Sequence, residues 1–218
     1  MNTRLLILCL ALGLAACSNT PPAPDWQMNA KTSLERAADA WLSGNSAIEA
    51  VEFARARSEV ARTGQPELVS RVELLRCATR VASLVFEPCA GFEALAADAA
   101  PAEQAYARYL AGQALAGDAA LLPEAHRPLA GAAAVSEGAL ASIKDPLSRL
   151  VAAGVLLQRG AASPAVAVLA ADTASAQGWR RPLLAWLQVQ QARAQAGGAV
   201  EEVARLQRRI DLVAPAQK

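Results

Sequence analysis

The sequence predicts an all-α protein of antiparallel helical hairpins, stacked as an array or gathered into an Ala-rich bundle. Three observations carry this. Alanine dominates the apolar residues while aromatics make up only 4%, and alanine is the best helix former whereas aromatic and β-branched residues favour strands. Apolar residues recur at helical spacing, as in Leu68, Val72, Leu75, Ala78, Ala82 and Val85. Glycine and proline fall between the periodic runs, where helices stop and start. No run shows sustained strand alternation. The apolar share of 54% overstates the core, because alanine buries little area.

Residues 18–25 carry three prolines and no apolar period, so residues 17–25 read as a tether. Helices follow over 26–213 as one domain. The first starts at a Thr32/Glu35 capping box or nearer Trp26, and ends at Ser43-Gly44. Ser46 with Glu49 makes a second capping box, opening a helix to Thr63 with Gly64 at its C′ position. Pro66 starts a third, whose second apolar stripe (Leu74, Cys77, Val81, Leu84) predicts cover on two sides. A short helix spans Phe92 to Ala99. The next runs from Pro101 to Gly117-Asp118. Residues 119–143, broken by Pro123, Pro128, Gly131 and Gly138, read as two short helices. Asp145-Pro146 and Ser163-Pro164 are paired N-cap and N1 signals; their helices end at Gly160 and before Gly178. Pro182 opens a helix to Ala196, Gly197-Gly198 turns the chain, and Ala199 to Leu212 closes it.

The N-terminus has its own logic. One positive charge, Arg4, precedes an uncharged run from Leu5 to Ala16. This is the n-region and h-region of a secretory signal, too short for the roughly 20 residues that span a bilayer. The run ends in Leu14-Ala15-Ala16-Cys17, which resembles the bacterial lipobox. The resemblance covers the first 17 residues. It implies removal of residues 1–16, a diacylglyceryl group on the Cys17 thiol, acylation of the new amine (palmitate and related chains), and membrane anchoring. Several acyl chains, each contributing about 0.8 kcal/mol per buried CH₂, hold firmly. Ser18 after the cysteine implies, by enterobacterial sorting rules, the outer membrane, facing the periplasm.

Of the four cysteines, Cys9 leaves with the signal and Cys17 is lipidated. Cys77 and Cys89 remain in an oxidising compartment, where a disulfide is expected. A helix running to Phe86 would place Cys77 about 13 Å from the turn, and three extended residues return only about 10 Å. The helix must therefore end early, near Leu84, for the sulfurs to meet. Pro88 favours such an ending. The alternative is two buried free thiols. A metal site would need more ligands than two cysteines and a distant His126.

Trp41-Leu42-Ser43-Gly44-Asn45, followed by Phe53 and Ala56, resembles a tetratricopeptide turn with its following helix. Glu49 departs from that pattern, which asks for a small residue there. Gly117, Gly160 and Gly197 mark similar turns at irregular spacing. The resemblance implies stacked hairpins with a concave surface for a partner segment.

Charge is unevenly placed: residues 17–125 carry a net −5 and residues 126–218 a net +5. No basic run is dense enough for nucleic acid. The single histidine, His126, lies in Pro-Glu-Ala-His-Arg-Pro and reads as a surface loop residue without a catalytic partner. Nucleophile elbow, phosphate loop and His-Glu-x-x-His patterns are missing, so neither an enzyme nor a cofactor is expected. Arg55, Arg57 and Arg62 alternate with Glu52 and Glu59, either as paired charges on a wet face or as a polar interaction surface. Trp179 and Trp186 either pack the last hairpins or anchor a groove.

These readings predict an outer-membrane-anchored lipoprotein that scaffolds or assembles envelope proteins. Two alternatives stand beside it. One is a cell-wall enzyme or small-ligand-binding lipoprotein, recognisable by a deep cavity with converging acids. The other is a structural lipoprotein without a specific partner.

Overall fold

A computed structural model of the chain describes residues 22–130 and 137–214. The lipobox, with Cys17 and the start of the tether, lies outside the described residues. The described chain is all-α. Its helices are α1 (Asp25–Leu42), α2 (Ser46–Ala61), α3 (Pro66–Ala82), α4 (Ala90–Glu93), α5 (Pro101–Leu110), α6 (Glu137–Ala141), α7 (Pro146–Gln158), α8 (Pro164–Ala176), α9 (Arg180–Ala196) and α10 (Val200–Val213). Short 3₁₀ turns occupy Ala96–Asp98, Asp118–Leu121 and Glu124–Leu129. No described helix is long and apolar enough to cross a membrane.

Most of the punctuation acts as the sequence predicts. Asp145 caps α7 by accepting from the Ser148 amide at 2.7 Å, and Ser163 caps α8 by accepting from Val166. The corrections concern helix termini. The short helix expected from Phe92 to Ala99 is Ala90–Glu93 followed by a separate 3₁₀ turn at Ala96–Asp98. The first helix starts at Asp25, beside the expected alternative Trp26, so Thr32 and Glu35 lie inside it and no capping box forms there. The second is capped by Asn45, whose side chain accepts from the Ile48 amide; Ser46 is already helical and Glu49 points inward instead. The helix from Pro101 ends at Leu110 rather than Gly117, because Gly112 (φ 72°) takes the left-handed position first. The helix expected from Pro182 begins two residues earlier, at Arg180.

The helix ends explain the spacing of the hairpins. At Gly44 the amides of residues 44 and 45 reach back to Trp41 and Ala40, the paired bonds of a Schellman motif. The same pattern ends α3, but there the left-handed residue is Leu84 (φ 60°). A leucine in that conformation costs roughly 1–2 kcal/mol relative to glycine. Left-handed residues at 44, 64 and 84, and again at 160, 178 and 198, give hairpins of about 40 residues, longer than the roughly 34 of the tetratricopeptide unit.

Neighbouring helices pack along the chain: α1 on α2, α2 on α3, α7 on α8, α8 on α9 and α9 on α10. Two further contacts make this more than a linear stack. The third helix packs on α7 as well as α5, and α9 returns to α1. In an open solenoid each unit touches only its neighbours; here the C-terminal half closes onto the first hairpin. Helix α7 is buried from Leu150 to Leu156. At Gly154 a Cβ atom would run into the Val81 backbone carbonyl of α3, so glycine sets how closely these two helices cross. A second, smaller core of Ala30, Ala37, Phe53, Val60, Val69 and Val72 fills the first three helices.

Candidate functional site

A cleft of about 620 Å³ opens between α3, the segment 86–93 and α5. Its shape follows from the end of α3. Leu84 turns the chain out, and a disulfide between Cys77 and Cys89 pulls it back, with Cα atoms 5.9 Å apart. The helix had to stop before Leu84 for this closure, and it stops at Ala82. Beyond the bridge, Gly91 leaves room for the Glu73 carboxylate, which a Cβ atom there would strike.

Arg76 and Arg80 line the cleft, and a carboxylate outside its lining holds them in place. Glu49, 3% exposed, accepts from Arg76 Nε at 2.9 Å and from Arg80 Nη2 at 2.9 Å. Its departure from the tetratricopeptide pattern now has a reason: the space a small residue would leave holds the counter-ion of two arginines from α3. Arg80 stacks on one side of the Trp41 ring, 3.4 Å from the centroid, and Arg181 on the same ring at 3.5 Å. The Trp41 indole donates to the Thr79 carbonyl and the Ser83 hydroxyl. Burial pushes the Arg80 and Arg181 guanidinium pKa values down, against the attraction of Glu49. On the α5 wall, Arg108 forms a bidentate pair with Asp118 at 2.9 and 2.6 Å. That hydrogen bonding, with the Leu115 amide, holds the Asp118 carboxyl down at about 2. Glu73 accepts from Arg57 at 2.7 Å. The acids of the cleft are paired or exposed: Glu73 is bound to Arg57, and Glu87 and Glu93 are exposed.

The residues singled out in the sequence separate. Arg55 and Arg62 pair with Glu52 and Glu59 on the exposed face of α2, and Arg57 turns to Glu73 on α3. Trp179 donates to Asp39 of α1 at 3.1 Å, part of the closure of the fold. Trp186 is fully buried, so of its two readings it packs the last hairpins and anchors no groove; its indole N–H has no hydrogen-bond partner among the described residues. His126 is also corrected. It is 1% exposed, on the 3₁₀ turn Glu124–Leu129, with Nδ1 3.2 Å from the Tyr109 hydroxyl and its ring against Tyr106. Burial pushes its pKa down to about 4, opposed by the Asp145 charge, and raises both tyrosines.

The arginine pair was missed, although signals existed. Arg76 and Arg80 stand four apart on one face of the same helix, and Glu49 breaks the repeat. Three other arginines in the basic half hold loop carbonyls: Arg127 on Leu122, Arg149 on Ile143, Arg193 on Ser163 and Ala162. Part of the charge surplus there closes turns. Among the described residues no group of three or more His, Cys, Asp or Glu stands where it could hold a metal ion. No protein family, curated protein or solved structure matches the chain.

Proposed function

We propose that this chain is a lipid-anchored protein of the outer membrane, facing the periplasm, that binds an envelope protein through the cleft beside the disulfide and serves as an assembly scaffold. The lipobox Leu14-Ala15-Ala16-Cys17 supports the address. The observation that carries the action is the open cleft of mixed charge, whose acids are either paired or exposed. A cleft of that kind supports recognition better than acid–base chemistry, which asks for titratable groups converging on one reacting atom.

A photo-crosslinking residue at Phe86, exposed on the cleft, tests this in cells. The control position is Ile48, exposed but outside the cleft. One defined envelope protein, crosslinked from position 86 and not from 48, is expected. Equal or absent crosslinking from both positions would refute the role. Labelled palmitate should enter the wild-type chain and not Cys17→Ser; label in both would refute the anchor.

A small-ligand reading draws on one observation: the cleft volume falls in the range of small-molecule sites, about 300–1,000 Å³. Native mass spectrometry of the purified protein separates the two, since a resident ligand adds a discrete mass.

A further inference from the structure

The cleft carries charges of both signs that the fold does not use up. Arg76 and Arg80 share the single Glu49 carboxylate, and Arg181 also stands within its field, leaving positive charge in excess at that end. Arg108 is balanced by Asp118 and Glu73 by Arg57. Arg76 and Arg108 each bond through Nε and Nη2, so the Nη1 donors of both are unused among the described residues. Glu87 and Glu93 line the same cleft, exposed and without an ion pair within 4 Å among the described residues, although Glu87 stands near enough to Arg80 for their charges to attract.

Guanidinium donors match carboxylate and phosphate oxygens in number and direction. The two glutamates decide between these anions. A phosphate, carrying close to two negative charges, would be repelled by both; a singly charged carboxylate attached to a cation would find a partner for each end. Size decides the rest. A full protein interface buries about 800 Å² on each partner, whereas this volume suits a short segment. Resting on the reading of the cleft as a partner-binding surface, we infer that it takes the C-terminal end of a polypeptide. The terminal carboxylate lies at the free donors of Arg76 and Arg108, with the nearly buried Arg80 contributing charge, and a nearby Lys or Arg side chain meets Glu87 or Glu93. Phe86, 42% exposed, offers an apolar surface beside the cation.

The test is fluorescence anisotropy of the purified full chain with three labelled hexapeptide pools. The first has Lys third from a free C-terminal carboxylate. The second is the same pool amidated, and the third has norleucine in place of Lys. The free-acid Lys pool should bind, and amidation should weaken it about tenfold or more through loss of charge-assisted bonds. Norleucine should weaken it several-fold. The double variant Glu87→Gln/Glu93→Gln changes only exposed carboxylates and should remove the preference for Lys over norleucine while leaving the preference for acid over amide. Arg108→Gln should lower the acid preference. Equal binding of acid and amide, no binding at millimolar concentration, or displacement by inorganic phosphate at constant ionic strength would each overturn the assignment. A partner crosslinked at Phe86 in cells alongside equal acid and amide binding overturns the chain-end assignment alone.

Discussion

Replacing His126 should flatten the acid side of the stability profile. The folded protein keeps this imidazole neutral: it is 1% exposed, and Tyr109 lies 3.2 Å from its Nδ1. Its folded pKa is pushed down to about 4 from an ordinary 6.5. Between those values the unfolded chain binds a proton and the folded chain does not. Stability is therefore full above pH 6.5, falls as the pH drops towards 4, and loses no more below that. At pH 5 the loss is about 2 kcal/mol, from about 1.4 kcal/mol per pKa unit. The variant His126→Asn places an amide at the position of Nδ1, within reach of the Tyr109 hydroxyl, and does not titrate. Urea midpoints of both proteins at pH 7.5 and pH 5.0 measure the difference. The wild-type midpoint should fall further than the variant's by about 1 M, for a slope of about 2 kcal/mol per M. Because this is the only histidine, its ring proton resonance in the untagged chain needs no assignment and should titrate near 4. Equal falls in wild type and variant, or a resonance titrating near 6.5, would refute the reasoning.

Three further perturbations test the packing. Glu49→Ala installs a residue of the size the hairpin pattern asks for, yet it strips the counter-ion from Arg76 and a nearly buried Arg80; unfolding in denaturant should show a loss of roughly 3–5 kcal/mol. Gly154→Ala pushes a Cβ atom against the Val81 carbonyl and should cost about 1–3 kcal/mol. Gly138→Ala meets nothing within 4 Å and should gain about 0.5–1 kcal/mol by thermal melting. Reducing the Cys77–Cys89 bridge frees a 12-residue span and should cost about 3 kcal/mol, with two thiols appearing in a quantitative thiol assay.

The fold class, most helix boundaries and the disulfide were legible because each rests on local chemistry. A Ser-Pro or Asp-Pro pair fixes an N-terminus wherever it stands, and the reach of three residues decides where α3 must stop. Boundaries failed where two signals competed, as at Gly112 and Gly117. The cleft was not legible. It needs Glu49 and Arg76, 27 positions apart, on facing helices, and Arg108 from a third. Arg181 and Trp41 are separated by 140 positions, and their contact exists only because α9 returns to α1. His126 shows the same limit: a breaker-rich segment reads as a wet loop until Tyr106 and Tyr109 close over it. Helix formation is settled within a few turns of chain, so composition and punctuation are enough to read it. Which charges are buried, and which stay free to bind, depends on how helices distant in sequence pack, and becomes readable once the chain has folded.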